Sequence, residues 1–148
     1  MVPGTIAVYL PLVIARGHPG ASDGMLMIAL ILLALGGSIY GWCVWDFAVF
    51  GRGTPAPIDA PKRLVAKGLY LYTRNPMYLG VLTVILGWAA LFEAAILLVY
   101  GFAVFGAFQL FIVLYEEPHL LREFGREYEA YRERVGRWLP RPRHGRPV

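Results

Sequence analysis

Two long apolar stretches, residues 25–50 and 94–115, constrain this chain more than any other feature. A helix of about 20 apolar residues crosses the roughly 30 Å hydrocarbon core of a bilayer. Both stretches meet that length, and the first holds one charged residue, Asp46, while the second holds none. A soluble domain could bury one such helix, but it would need a polar remainder to cover it. This chain has 57% hydrophobic and 16% charged residues, against roughly 45–50% and about 25% in ordinary soluble domains. We therefore expect an integral membrane protein of the all-α class. At 148 residues it is read as a single membrane domain, 1–148.

Two shorter apolar runs, 1–15 and 77–92, complete an expected set of about four transmembrane helices. The first lacks both the positive n-region and the A-x-A site of a signal peptide, so it is read as a span. Of the 14 Lys and Arg residues only Arg16 precedes Arg52. The positive-inside rule then places the loop 51–76 and everything after Tyr115 in the cytoplasm. Four spans bring both termini to that side, in a plasma (inner) membrane protein. After the last span, Leu121, Phe124, Tyr128, Tyr131 and Val135 recur at helical spacing among charged residues. This predicts an amphipathic tail helix over 116–135, with Pro118 in its first turn, followed by a flexible basic end, 137–148. Gly37 and Gly41 form a GxxxG spacing that suits close helix packing and permits a homodimer.

Several chemistries are unsupported. The lone Cys43 allows no intrachain disulfide, and His18, His119 and His144 have no metal-ligand spacing, so no metal is expected. No GxGxxG motif joins a strand to a helix, so no Rossmann cofactor domain is expected. The expected partners are the bilayer and a lipid or hydrophobic small molecule, not nucleic acid. Two clusters stand out against this background. Arg74-Asn75-Pro76-Met77-Tyr78-Leu79-Gly80 places polar and helix-breaking residues at the start of an apolar run. Pro76 favours a helix start, whose free N–H groups suit an anion; an aromatic belt with a snorkelling Arg is the structural alternative. Glu116-Glu117 follows 22 apolar residues directly. These carboxylates either charge a helix start or accept hydrogen bonds from a ligand. Asp46 is a third carboxylate, free to pair with Arg52 or Arg74 or to act in chemistry. Gln109 is suited to interhelical hydrogen bonding.

Taken together, Arg74, Asn75, Pro76, Tyr78 and Gly80, then Glu116, Glu117, Leu120, Phe124, Gly125, Tyr128 and Tyr131, resemble the isoprenylcysteine carboxyl methyltransferase family and the related phospholipid methyltransferases. The likeness covers residues 64–140. It implies an integral membrane enzyme that uses S-adenosylmethionine, held in a cytoplasmic-side pocket closed by the carboxyl-terminal segment. On the family's pattern the cofactor contacts fall on Leu64, Val65, Tyr70, Asn75, Pro76, Met77, Tyr78 and Glu116, with Arg74 and Glu117 as catalytic candidates. Asn75 stands where many members have His and cannot become cationic. Ile112 stands where prenylcysteine-modifying members have a substrate-binding Arg. The acceptor is thus left as a hydrophobic or lipid-borne molecule. An amine acceptor must lose a proton, with Glu117 or Asp46 as its base. An NADPH-dependent membrane reductase of the sterol-reductase type and a non-enzymatic membrane scaffold are the alternative readings.

Overall fold

The computed structural model describes residues 4–51, 64 and 66–141, and all regular structure among them is helical. Helix α1 runs Thr5–Ile14 and opens in a π-helical turn, Thr5–Tyr9. Helix α2 runs Asp23–Asp46 and continues through a second wide turn, Phe47–Gly51. After a short 3-10 turn, Gly68–Leu71, comes α3, Pro76–Leu91. Helix α4, Ala95–Phe111, passes through a π turn, Ile112–Glu116, directly into α5, Glu117–Phe124. Helix α6, Arg126–Arg134, follows.

Two of these helices are long and apolar enough to cross a bilayer, Asp23–Val49 with 27 residues and Ala95–Phe124 with 30. At 1.5 Å per residue they reach about 40 and 45 Å. The other apolar helices, Thr5–Ile14 and Pro76–Leu91, are shorter, about 15 and 24 Å by the same rise, and fall below the usual spanning length. Leu30, Ile31, Trp45, Phe102, Leu110 and Leu114 are all more than half exposed on the long pair. An apolar surface of that extent needs a nonaqueous partner, and lipid supplies one.

Helices α2 and α3 pack at the distance only glycine permits. A Cβ on Gly36 would lie 2.8 Å from the Gly80 carbonyl oxygen, and one on Gly87 would lie 2.8 Å from Leu33. Backbones drawn this close gain dispersion contacts that replace the missing hydrophobic drive within lipid. The expectation for Gly37 and Gly41 is corrected here: neither has a neighbour within 4 Å of an added Cβ. Their spacing is right for a helix face, but the face used within the chain is one residue around the turn. Val81, Ile85, Ala7 and Val104 form a core shared by α1, α3 and α4. Trp88 and Tyr100 donate to the carbonyls of Ala7 and Ile6, each at 2.9 Å, and so tether α1. At the far end, the Glu93 carboxylate accepts the Ser22 N–H at 2.8 Å. That bond ties the α3–α4 hairpin to the start of α2 and holds the Glu93 carboxyl below its ordinary range.

The tail departs from the single helix expected over 116–135. Helix α4 continues unbroken past Glu116 to Phe124, and Gly125, at φ +48°, then breaks the path before α6. Pro118 sits in the first turn of α5, as expected, but that helix carries on from α4 rather than starting afresh. Its ring would collide with the carbonyl four residues earlier in a regular helix. The wide turn Ile112–Glu116 comes immediately before it and relieves that crowding.

Candidate functional site

The residue before a proline is pushed out of the helical region, and Asn75 obeys at φ −128° before Pro76 opens α3. The stretch 73–75 therefore stays outside the helices and is free to pair, and its partner is the carboxyl-terminal segment. The Arg74 N–H donates to the Gly136 carbonyl at 2.9 Å. The Thr73 hydroxyl and the Asn75 amide both donate to the Arg137 carbonyl, at 2.9 and 3.1 Å. Trp138 adds a hydrogen bond to Gln109 at 2.9 Å and packs against Phe105. Gln109 thus binds the carboxyl-terminal strap, not a neighbouring span. The flexible end expected from position 137 is corrected over its described part, where Arg137, Trp138 and Arg141 are all bonded; residues 142–148 lie outside the described residues.

Beneath this strap lies a cavity of about 20 Å3. Its walls are Arg74 and Asn75 from the turn before α3, Ile112, Glu116, Glu117 and Leu120 from the α4–α5 rod, and Tyr128 and Tyr131 from α6. The Tyr78 hydroxyl reaches across from α3 to donate to Glu116 at 2.8 Å, and its ring packs at a tilt against Phe108. Glu117 accepts a two-pronged fork from Arg137, at 2.8 and 2.9 Å, and a third contact from Arg74 at 2.9 Å. Arg74 also donates to the Tyr128 hydroxyl at 3.0 Å. The hydrogen bonds to Glu117 raise Arg137 further above its already high ordinary value. Burial raises the hydroxyls of Tyr128 and Tyr131 and keeps them neutral. Tyr131 donates to the Tyr70 carbonyl at 2.7 Å.

Carboxylates, guanidiniums and phenols therefore share one wall with two apolar side chains. That mixture suits a ligand that is polar at one end and adjoins a hydrophobic acceptor. A cavity of this size holds about one water. A nucleoside-sized ligand needs more room than this; beside the cavity, residues 135–138 are held both by hydrogen bonds and by the burial of Val135 and Gly136.

Of the sequence candidates, Arg74, Asn75, Glu116 and Glu117 meet at the cavity, with Tyr78 bonded to Glu116. Tyr70 is buried behind it and touches it through Tyr131. Pro76 is buried, and Met77 packs on Cys43 and Tyr70. Leu64 packs against Tyr128, Tyr131 and Val135, and Val65 lies outside the described residues. Arg137 and Trp138 were missed. Their signal was a Trp beside an Arg immediately after the tail helix, which composition merged into a basic end. Of the two arginines expected to pair with Asp46, Arg74 goes to Glu117 instead, and Arg52 lies outside the described residues. Asp46 is buried, with one oxygen unpartnered among the described residues, against Gly68 at φ +57°, where any Cβ would strike its carboxylate. The described residues hold no group of three or more His, Cys, Asp or Glu placed to bind a metal.

A family model described as phospholipid methyltransferase matches residues 25–127, from the start of α2 into α6. No curated protein and no solved structure matches the chain.

Proposed function

The chain belongs to the phospholipid methyltransferase family, whose match covers over two-thirds of it, and from that premise we propose where its chemistry takes place. The protein is an S-adenosylmethionine-dependent methyltransferase acting on a lipid acceptor in a membrane. Family membership displaces the reductase and scaffold readings. The observation that carries the site is the hydrogen bond between Tyr78 and Glu116, which joins the two sequence motifs at one cavity.

The bound cofactor supplies a methyl group already made electrophilic by its sulfonium. The protein's task is then to hold donor and nucleophile in line and to keep water out. The donor set fits such a cofactor: Glu116 offers a carboxylate to its hydroxyl or ammonium groups, and Arg74 offers cationic donors. Tyr78 fixes the direction of Glu116. Asn75, Pro76, Met77 and Tyr70 shape the wall behind it, with Leu64 packed against Tyr128, Tyr131 and Val135; Val65 is assigned to the cofactor on the family's pattern alone. Arg74 and Glu117 flank the acceptor. When the acceptor is an amine, Glu117 and Asp46 are the candidate bases for the departing proton, and Glu117, which lines the cavity, must first loosen the Arg137 fork. Ile112, on the cavity wall, offers a prenylcysteine carboxylate no cation, so the acceptor here is closer to a phospholipid headgroup than to a prenylated cysteine.

Around the site we read one membrane domain with four crossings and both termini cytoplasmic in the inner membrane, the short α1 and α3 crossing where the bilayer thins. The exposed Gly37 and Gly41 leave a face on which a homodimer can pack. Calorimetric titration of the detergent-solubilised protein with S-adenosylhomocysteine tests the site. Saturable binding is expected. A folded protein that binds none at millimolar ligand removes this assignment.

A further inference from the structure

Arg74 is a buried cation with an unused donor. Its side chain is 8% exposed, and one terminal nitrogen makes both of its polar contacts, to Glu117 and to Tyr128. Its Nε is buried and has no acceptor among the described residues. Glu117 is poorly placed to serve it, because the Arg137 fork already occupies both oxygens. A buried donor on a charged group is costly to leave unmade. Arg74 lines the cavity, so a ligand there comes within reach of the guanidinium. Resting on the methyltransferase site assigned above, we propose that the Arg74 Nε–H binds an oxyanion of the bound ligand. Two sources share that chemistry: the amino-acid carboxylate of the cofactor and the phosphate of the lipid acceptor. A guanidinium suits either, since two of its edges can serve two anions at once, Glu117 on one side and the ligand on the other.

Arg74→Lys isolates the point, because it keeps the charge beside Glu117 and removes Nε. Three probes are titrated into wild type and variant in detergent: S-adenosylhomocysteine, methylthioadenosine, which lacks the carboxylate, and a glycerophospholipid compared with diacylglycerol. If the cofactor is the source, S-adenosylhomocysteine binds about fivefold or more weakly to the variant while methylthioadenosine is unchanged. If the lipid is the source, both nucleosides are unchanged and only the glycerophospholipid loses affinity. Unchanged binding of all probes overturns the proposal, as does an equal loss for both nucleosides. A wild type that fails to bind S-adenosylhomocysteine instead condemns the site assignment itself. The Arg74 Nε–H resonance of the wild-type protein gives a reading that needs no variant. It must shift when S-adenosylhomocysteine or the glycerophospholipid is added; a resonance that neither moves also overturns the proposal.

Discussion

Glu116 accepts the Tyr78 hydroxyl and keeps lone pairs for a ligand, so Glu116→Gln removes a charge-assisted acceptor while preserving shape. A hydrogen bond to a charged group contributes about 1.5–3 kcal/mol, which corresponds to roughly tenfold to hundredfold weaker S-adenosylhomocysteine binding by calorimetry. Arg74→Lys should weaken it less, and both variants should stay folded. Wild-type affinity in Glu116→Gln would defeat the role given to this carboxylate. Tyr131 makes a different kind of prediction. Its hydroxyl is buried and bonded to the Tyr70 carbonyl, and burial raises its pKa above the ordinary value. The neutral form is therefore favoured in the fold. Its stabilising contribution is complete below the unfolded value near 10 and is lost as pH rises above it. Melting temperature should fall above about pH 10, and Tyr131→Phe should flatten that fall while costing about 1 kcal/mol at neutral pH.

At the scale of elements, the α2–α3 contact is set by glycines that leave no room for a methyl group. Gly36→Ala places a carbon 2.8 Å from the Gly80 oxygen, which is backbone and cannot swing aside. Forcing the helices apart should cost about 1–3 kcal/mol, the usual range for overpacking. Gly37→Ala meets nothing within 4 Å and gains helix propensity of up to about 1 kcal/mol. Thermal unfolding of the two neighbours in the same detergent should therefore move in opposite directions. Equal effects would show that the helix contact does not depend on this close approach.

For the molecule as a whole, the proposed site lies beside the strap formed by residues 135–138, which is anchored through Arg137, Trp138 and the pairing of Thr73 with Gly136. Arg137→Ala removes the fork on Glu117 and leaves Arg74 as its remaining cation. The Arg137 side chain is 30% exposed, so solvent screening holds the cost to about 1 kcal/mol. Hydrogen exchange is the sensitive measurement. The Arg74 amide, bonded to the Gly136 carbonyl, should exchange faster in Arg137→Ala and slower in wild type with S-adenosylhomocysteine bound. An unchanged rate in both would mean that the strap does not gate the cavity.

Much of this protein was already decided along the chain. Apolar length and the shortage of charge specify helices in lipid, because hydrocarbon leaves the backbone no other donors or acceptors. Pro76 sets the start of α3 through local sterics, and helical spacing puts Glu116, Glu117 and Leu120 on one face of the α4–α5 rod. Other features depend on neighbours distant in sequence. Gly36 rather than Gly37 makes the helix contact because rotation of α2 is fixed by what α3 presents. The 116–135 segment continues α4 because a wide turn accommodates Pro118, and it bends at Gly125 because a positive φ is available there. Arg137 resembled solvated charge until a carboxylate 20 residues earlier was brought opposite it. Periodicity records which face of a helix is apolar; only packing decides what that face meets.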